Sequence, residues 1–434
     1  MAQSETVVTF TQSETPAHDT PVSRTRSARS LVLGGSLVML VSMLLVNGFN
    51  FAYNMVMARV LGPSAFGHIN AAVTILLLAS CISLAFQLVC AKFVARNETA
   101  GSKASVIHSL LGKSWIASLA FAVVLFAGQK PFSAYLNLPS PWILGVLALG
   151  IAAYAPLGVK RGAMQGVCSF HRLGGNFVAE ALTRFVVGVG LVIAGYGVLG
   201  AVGAISAAVI VAYFVPALPP ELRGAPEAGE PASFAEALQA IVFFIGQVVI
   251  NNIDILLVKH FFPADPAGVY AAIAQVGRLL YFVCWFGIVN AMFPVAAASR
   301  EEQRKSEALG LPMVLVLAIS AAFVLGAAIF PHFIMGLLFG SKFGDTGSLL
   351  ALYTLATGLY SLAVVVIAYE MSRRIANTGW LQLLVSGALI LVIGIFHQSL
   401  REVIMVRIVL MVIMLAMVCF PFLRRQTEAP LEAA

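Results

Sequence analysis

Twelve stretches of apolar residues, each about 20 long and so able to span a bilayer, constrain this chain more than any other feature. They lie near 33–58, 69–91, 108–128, 142–163, 176–195, 198–217, 235–258, 268–297, 309–330, 348–370, 380–397 and 402–423. With 60% hydrophobic residues, 10% charged residues and a mean hydropathy of +0.94, a soluble protein of 434 residues could not hide so much apolar surface. The expected fold is an all-α polytopic membrane protein. The first 29 residues are polar, rich in Ser and Thr, and end in "SRTRSAR". They are too polar to pack and too long for the basic segment of a signal peptide, and the first apolar run exceeds a signal core. That run is read as a retained span behind a disordered tail.

Lys and Arg set the expected orientation. Of the 26 in the chain, eighteen fall on the side of the N terminus, five on the other side and three inside spans. Twelve spans with both termini cytoplasmic follow from that bias. It also accounts for the net charge of +7 without nucleic acid. The five cysteines are scattered singly and lack metal-ligand spacing, so they are read as packing residues.

Between the sixth and seventh runs lies "PALPPELRGAPEAGEPAS", whose five prolines and three glutamates mark a solvated connector. The expected organisation is an N-terminal tail (1–30), an N-lobe of six spans (31–217), a cytoplasmic linker (218–234), a C-lobe of six spans (235–423) and a C-terminal tail (424–434). The halves repeat. A shift of 201 residues aligns Asn50 with Asn251, Gly67 with Gly268 and Ala71 with Ala272 without a gap. Six spans return the chain to its starting side, so the two six-helix lobes have parallel topology. Paired halves around a central cavity near the midplane are a transporter architecture.

Four segments carry a family resemblance. "ARVLGPSAFGHINAA" resembles the first external turn of the polysaccharide transporter family, the Wzx-type oligosaccharide flippases of the multidrug/oligosaccharidyl-lipid/polysaccharide exporter superfamily. "RGAMQGVCSFHRLGGNFVAEALTRFVVGVGLVIAGYGVLGAVGA" is similar to its fourth-to-sixth span region, and "NNIDILLVKHFFPADPAGVYAAIAQVGRLLYF" to its seventh and eighth spans. "IMGLLFGSKFGDTGSLLALYTLA" resembles its ninth-to-tenth connection, so the likeness runs from about residue 33 to 420. It implies flipping of a polyprenyl-diphosphate-linked oligosaccharide for surface polysaccharide synthesis, by alternating access of two lobes. Membrane lipids, H+ or Na+ as coupling ion, and polysaccharide polymerase machinery are the further partners considered.

Charged and polar groups inside spans face protein or water, because a mid-bilayer charge costs about 2.5–3.5 kcal/mol. Gln247, Asn251 and Asp254 share a stripe of span seven, and Asn47, Asn50 and Asn54 share one at the equivalent place in span one. Both stripes are candidates for cavity walls, inter-helix hydrogen bonding being the alternative. Arg278, with Gln275 one turn before it, can hold a diphosphate bidentately or pair with Asp254. Arg59 and Lys259, at the outer ends of spans one and seven, can guide an anionic head group or anchor at the interface. Asp254, Glu180 and Arg184 are the coupling-ion or gating candidates, although Glu180 and Arg184 at i, i+4 also suit a self-neutralising pair. Arg407 has no partner in sequence except Glu402. No P-loop, HExxH or GxSxG occurs, so no catalytic residue, metal ligand or cofactor is expected. The competing functions are a cation-coupled multidrug antiporter of the same superfamily and a membrane enzyme of polysaccharide assembly.

Overall fold

The computed structural model describes residues 28–215, 218–222, 224–285, 288, 302–343, 346–373 and 380–428, and the first 27 residues of the expected N-terminal tail lie outside them. In the first half, α1 (Ala28–Arg96) and α2 (Ala100–Ala127) precede the short α3 (Gln129–Tyr135). Then come α4 (Trp142–Ala152), α5 (Tyr154–Gly166), α6 (Phe170–Ile193) and α7 (Gly197–Phe214). The second half holds α8 (Leu238–Ile250), α9 (Ile253–Phe261), α10 (Ala264–Cys284) and α11 (Glu302–Ile329). It closes with α12 (Pro331–Phe339), α13 (Leu349–Arg373), α14 (Leu381–Ile395) and α15 (Leu400–Glu428). No strand occurs among the described residues. The helix α15 runs to Glu428, past the expected start of the C-terminal tail at 424.

Among the described residues, ten segments are long and apolar enough to cross a bilayer. One of them, Leu37–Arg96, is 60 residues long and bends at Gly62, so it crosses twice. The shorter apolar α14, of 15 residues, completes twelve passes. The expected all-α polytopic fold, two six-pass lobes around a cavity, is what the chain adopts. An even number of passes in each half puts the start of α1, the end of α15 and the inter-lobe linker on one face, called here the terminal face. Gly62, α3 and α12 lie on the opposite, turn face.

The bend at Gly62 has a local cause. Its φ of 81° and ψ of 179° lie in a region open essentially to Gly alone, and Pro63 cannot donate to the preceding turn. Gly62→Ala is therefore expected to cost about 1–3 kcal/mol, read as a lowered melting temperature of the purified protein. Two other passes are broken at mid-depth. At Ala153, between α4 and α5, Ser118 accepts from the Ala155 amide at 3.2 Å and donates to the Ile151 carbonyl at 2.5 Å. At Asn251 and Asn252, between α8 and α9, the side-chain amides donate back to Gln247 and Val248 carbonyls at 2.9 and 2.6 Å. In lipid, groups freed by a broken helix must find such partners.

The outer surface is apolar, with Leu44, Ile116, Val123, Ile193 and Leu391 all exposed as lipid contact requires. Trp115 and Tyr213 pack edge to face, and Lys160 donates to the Tyr213 carbonyl at 2.6 Å from above its ring, an arrangement suited to the membrane interface. The linker is held rather than loose. Asn97 accepts from the Glu230 amide at 3.1 Å, Thr99 donates to the Glu227 carboxylate at 2.9 Å, and Arg96 pairs with Glu230.

Candidate functional site

In the first lobe, Asn176, Glu180 and Arg184 recur every four residues and so form one stripe of α6. Asn176 donates to the carbonyls of Ala212 and Val215 at 2.7 and 2.5 Å, fixing α6 against the end of α7. Arg161, buried on α5, donates to Asn176 and to Glu180, each at 2.6 Å. Arg184 donates to the other Glu180 oxygen at 2.7 Å and to Asn50 at 3.0 Å. One carboxylate thus serves two guanidinium groups. The self-neutralising Glu180–Arg184 pair is corrected to a triad with one positive charge in excess. In sequence Arg161 sits near the end of an apolar run and is one of the eighteen cations on the side of the N terminus, but it is buried in this triad.

In the second lobe, the break at Asn251–Asn252 ends the continuous stripe expected of Gln247, Asn251 and Asp254. Gln247 stays on α8, where it accepts from Tyr281 at 3.0 Å, and Asn251 caps that helix. Asp254, fully buried on the first turn of α9, accepts from Arg407 of α15, from Tyr270 at 2.7 Å and from Tyr353 at 3.1 Å. Arg407 also lies over the Tyr353 ring, 4.8 Å from its centroid. The partner that Arg407 lacked in sequence is therefore 153 residues away, and Glu402 instead accepts from the Gln398 amide. Arg278 does not pair with Asp254; it donates to Asn252 at 2.6 Å.

Between the lobes lies a cavity of about 210 Å³. Asn47, Asn50, Asn54 and Arg184 line it from the first lobe, and Gln275 and Arg278 from the second, with Phe51, Leu279 and Phe282 among the apolar walls. Among the described residues no carboxylate lines it. Asp254 and Asn251, expected at its wall, stand behind it, Asp254 sealed in dry packing. Two guanidinium groups from opposite lobes, each held on one side by an amide or carboxylate, thus face one small chamber. Such an arrangement suits an anion with several oxygens, because the planar fork meets them bidentately and the low dielectric strengthens the contact.

On the turn face the lobes are closed against each other. Gly67 and Gly268, equivalent under the 201-residue repeat, meet there: a Cβ on Gly67 would come within 3.0 Å of the Gly268 nitrogen, and one on Gly268 would overlap the Pro63 carbonyl. Asn70 accepts from Gln275 across the same seam at 2.9 Å. Arg59 donates to the carbonyls of Leu337 and Leu338 at the end of α12. Lys259 is buried and donates to the Asn137 carbonyl at 3.2 Å, while Tyr135 stacks on His260 at 3.7 Å. Both expected outer-mouth cations are thus engaged in the seal.

The family model described as "Polysaccharide biosynthesis protein" matches residues 56–348, more than half of the chain. The chain belongs to that family. The fold is similar to that of solved transporters: an inward-facing multidrug resistance MATE family transporter of the MOP superfamily superposes with a TM-score of 0.72 at 15% identity, over 91% of this chain and 98% of that one. An outward-facing MATE family structure gives 0.57 at 16% identity, covering 92% and 96%. Among curated proteins, uncharacterized protein Rv1510 of Mycobacterium tuberculosis (strain ATCC 25618 / H37Rv) is 22% identical over 284 residues, 63% of this chain. The match spans 65% of that relative, less than two thirds of its length. The family member described here is a multi-pass membrane protein.

Proposed function

We propose that this transporter flips a polyprenyl-diphosphate-linked oligosaccharide across a bacterial inner membrane, head group through the cavity, with both chain ends cytoplasmic. The observation that carries the reading is the chamber itself. Arg184 and Arg278 enter it from opposite lobes, and none of the described residues lining it is a carboxylate. A diphosphate is the part of such a substrate common to every glycan, and bridging both lobes is the interaction that would couple its binding to their relative movement. The sealed turn face would then be the outer one, and this state the loading state. The higher TM-score to the inward-facing neighbour supports that assignment.

A cation antiporter needs a membrane carboxylate free to capture its ion. Glu180 is shared by two arginines and Asp254 is bound by Arg407. Their proposed role is to hold guanidinium groups in place rather than to carry H+ or Na+. A glycan-assembling enzyme needs reactive groups in its chamber, which amides and arginines do not supply.

Arg278→Ala is expected to reduce glycan export at least tenfold, about 1.4 kcal/mol or more, with normal protein in the membrane. Arg184→Ala is expected to do the same. Accumulation of lipid-linked sugar on the cytoplasmic leaflet is the direct measurement, and unchanged export in both variants would refute the proposal.

A further inference from the structure

A second and larger cavity, about 670 Å³, opens toward lipid at the seam between the lobes. Ile75 of α1 and Phe121 of α2 form its wall in the first lobe, Leu256 of α9 and Ile390 of α14 its wall in the second, and none of the described residues lining it is charged. Phe132, on the short α3 at the turn face, also lines it and is 43% exposed. Lys130, exposed and two residues away, adds one cation beside that wall. The stretch of α1 between Val73 and Leu78 separates the two cavities. Val73 and Leu77 face the arginine chamber while Ile75 and Leu78 face the apolar one, so about one helix diameter, 10–12 Å, lies between them.

We propose that this seam pocket holds the isoprenoid chain of the substrate whose diphosphate sits in the arginine chamber. The inference rests on the export reading. A polyprenyl chain cannot enter a chamber lined by asparagines and arginines without leaving their donors unpaired. It must stay outside the chamber yet remain covalently joined to a head group inside it. The seam pocket is apolar, open to the membrane and one helix away from the chamber. Its two walls belong to different lobes, so parting of the turn face would carry them apart and join pocket to chamber. The occupant would then pass outward with its head group. Moving a chain from lipid into an apolar pocket gains no hydrophobic free energy, so it is held by packing and by its tethered head. A weak hold of that kind suits a ligand that must leave.

The test uses the full-length protein in detergent and native mass spectrometry with two probes, a long-chain polyprenyl diphosphate and geranyl diphosphate. The short probe carries the same head but cannot fill the seam. Leu256→Trp, which plugs the pocket, is expected to weaken the long-chain probe about tenfold while geranyl diphosphate binds as before. Ile75→Trp blocks the opposite wall and repeats the test where Leu256→Trp lowers the folded yield. Undiminished long-chain binding in both variants would overturn the tail site, as would displacement of the long-chain probe by equimolar phosphatidylglycerol, the mark of an ordinary phospholipid pocket. Failure of both diphosphates to bind the unmodified protein would overturn the export reading and the tail site together.

Discussion

Arg407→Met should destabilise the purified protein by about 3–5 kcal/mol. Removing the guanidinium leaves the Asp254 carboxylate fully buried, with the Tyr270 and Tyr353 hydroxyls as its remaining hydrogen-bond donors. Those hydroxyls do not offset the desolvation of an isolated charge, which is the reason breaking a buried pair costs more than the pair contributes. Asp254→Asn combined with Arg407→Met is expected to recover most of the loss, because the Asn oxygen still accepts from Tyr270 and Tyr353 while the charge is gone. Replacing both by leucine would recover less, since each tyrosine hydroxyl would then be buried without a partner at about 1–3 kcal/mol. Thermal unfolding in detergent of the three variants measures these differences. A single Arg407→Met as stable as the unmodified chain would show that the ion pair does not hold α9 against α15.

The second large effect is expected at the glycine contact on the turn face. A Cβ on Gly268 would overlap the Pro63 carbonyl, a backbone atom that cannot swing aside. A Cβ on Gly67 would reach only 3.0 Å from the Gly268 nitrogen, which a small shift relieves. Overpacking of this kind costs about 1–3 kcal/mol, and here the cost falls on the closed turn face alone. Gly268→Ala should therefore shift the population toward a parted turn face by about 5- to 150-fold, and Gly67→Ala by much less. Asn70 is wholly buried in this state. In a chain whose five native cysteines are replaced, a cysteine at position 70 should resist a water-soluble thiol reagent. It should react readily once Gly268→Ala is added. Export should fall in the same variant, because a transporter that cannot close one face cannot alternate. Equal protection in both backgrounds would mean that the two glycines do not set the seal.

The two predictions touch parts of the molecule that differ in how readily they can be read from the chain. Gly67 and Gly268 were visible as a repeat pair at a separation of 201 residues. What the repeat did not say is that the two copies would touch, which follows only when the lobes face each other about an axis through that point. Arg407 stood alone in sequence, and nothing near it hinted at Asp254. Arg161 was hidden differently. A basic residue near the end of an apolar run looks like an interfacial cation, and only the course of α5 past α6 brings it onto Glu180. Asn252 and Asn70 passed unremarked because a single buried amide has no spacing signal; each matters through one partner, Arg278 and Gln275, on another helix.

The local code of this chain was enough for its class, its twelve passes and the parallel relation of its halves. Those depend on hydropathy over about 20 residues, on the count of crossings and on periodicity, all of which are properties of neighbouring residues. It was also enough to bring Arg278, Gln275 and Asn50 forward, because polar groups in lipid are costly wherever they stand. The tertiary structure alone decided which charges cancel and which stay available. Asp254 was withdrawn from the cavity by Arg407, and Glu180 was divided between Arg161 and Arg184. The reason is physical: an ion pair forms between groups a few ångströms apart in space, at any distance along the chain, and the choice of partner determines whether the chamber is acidic, neutral or, as found, cationic.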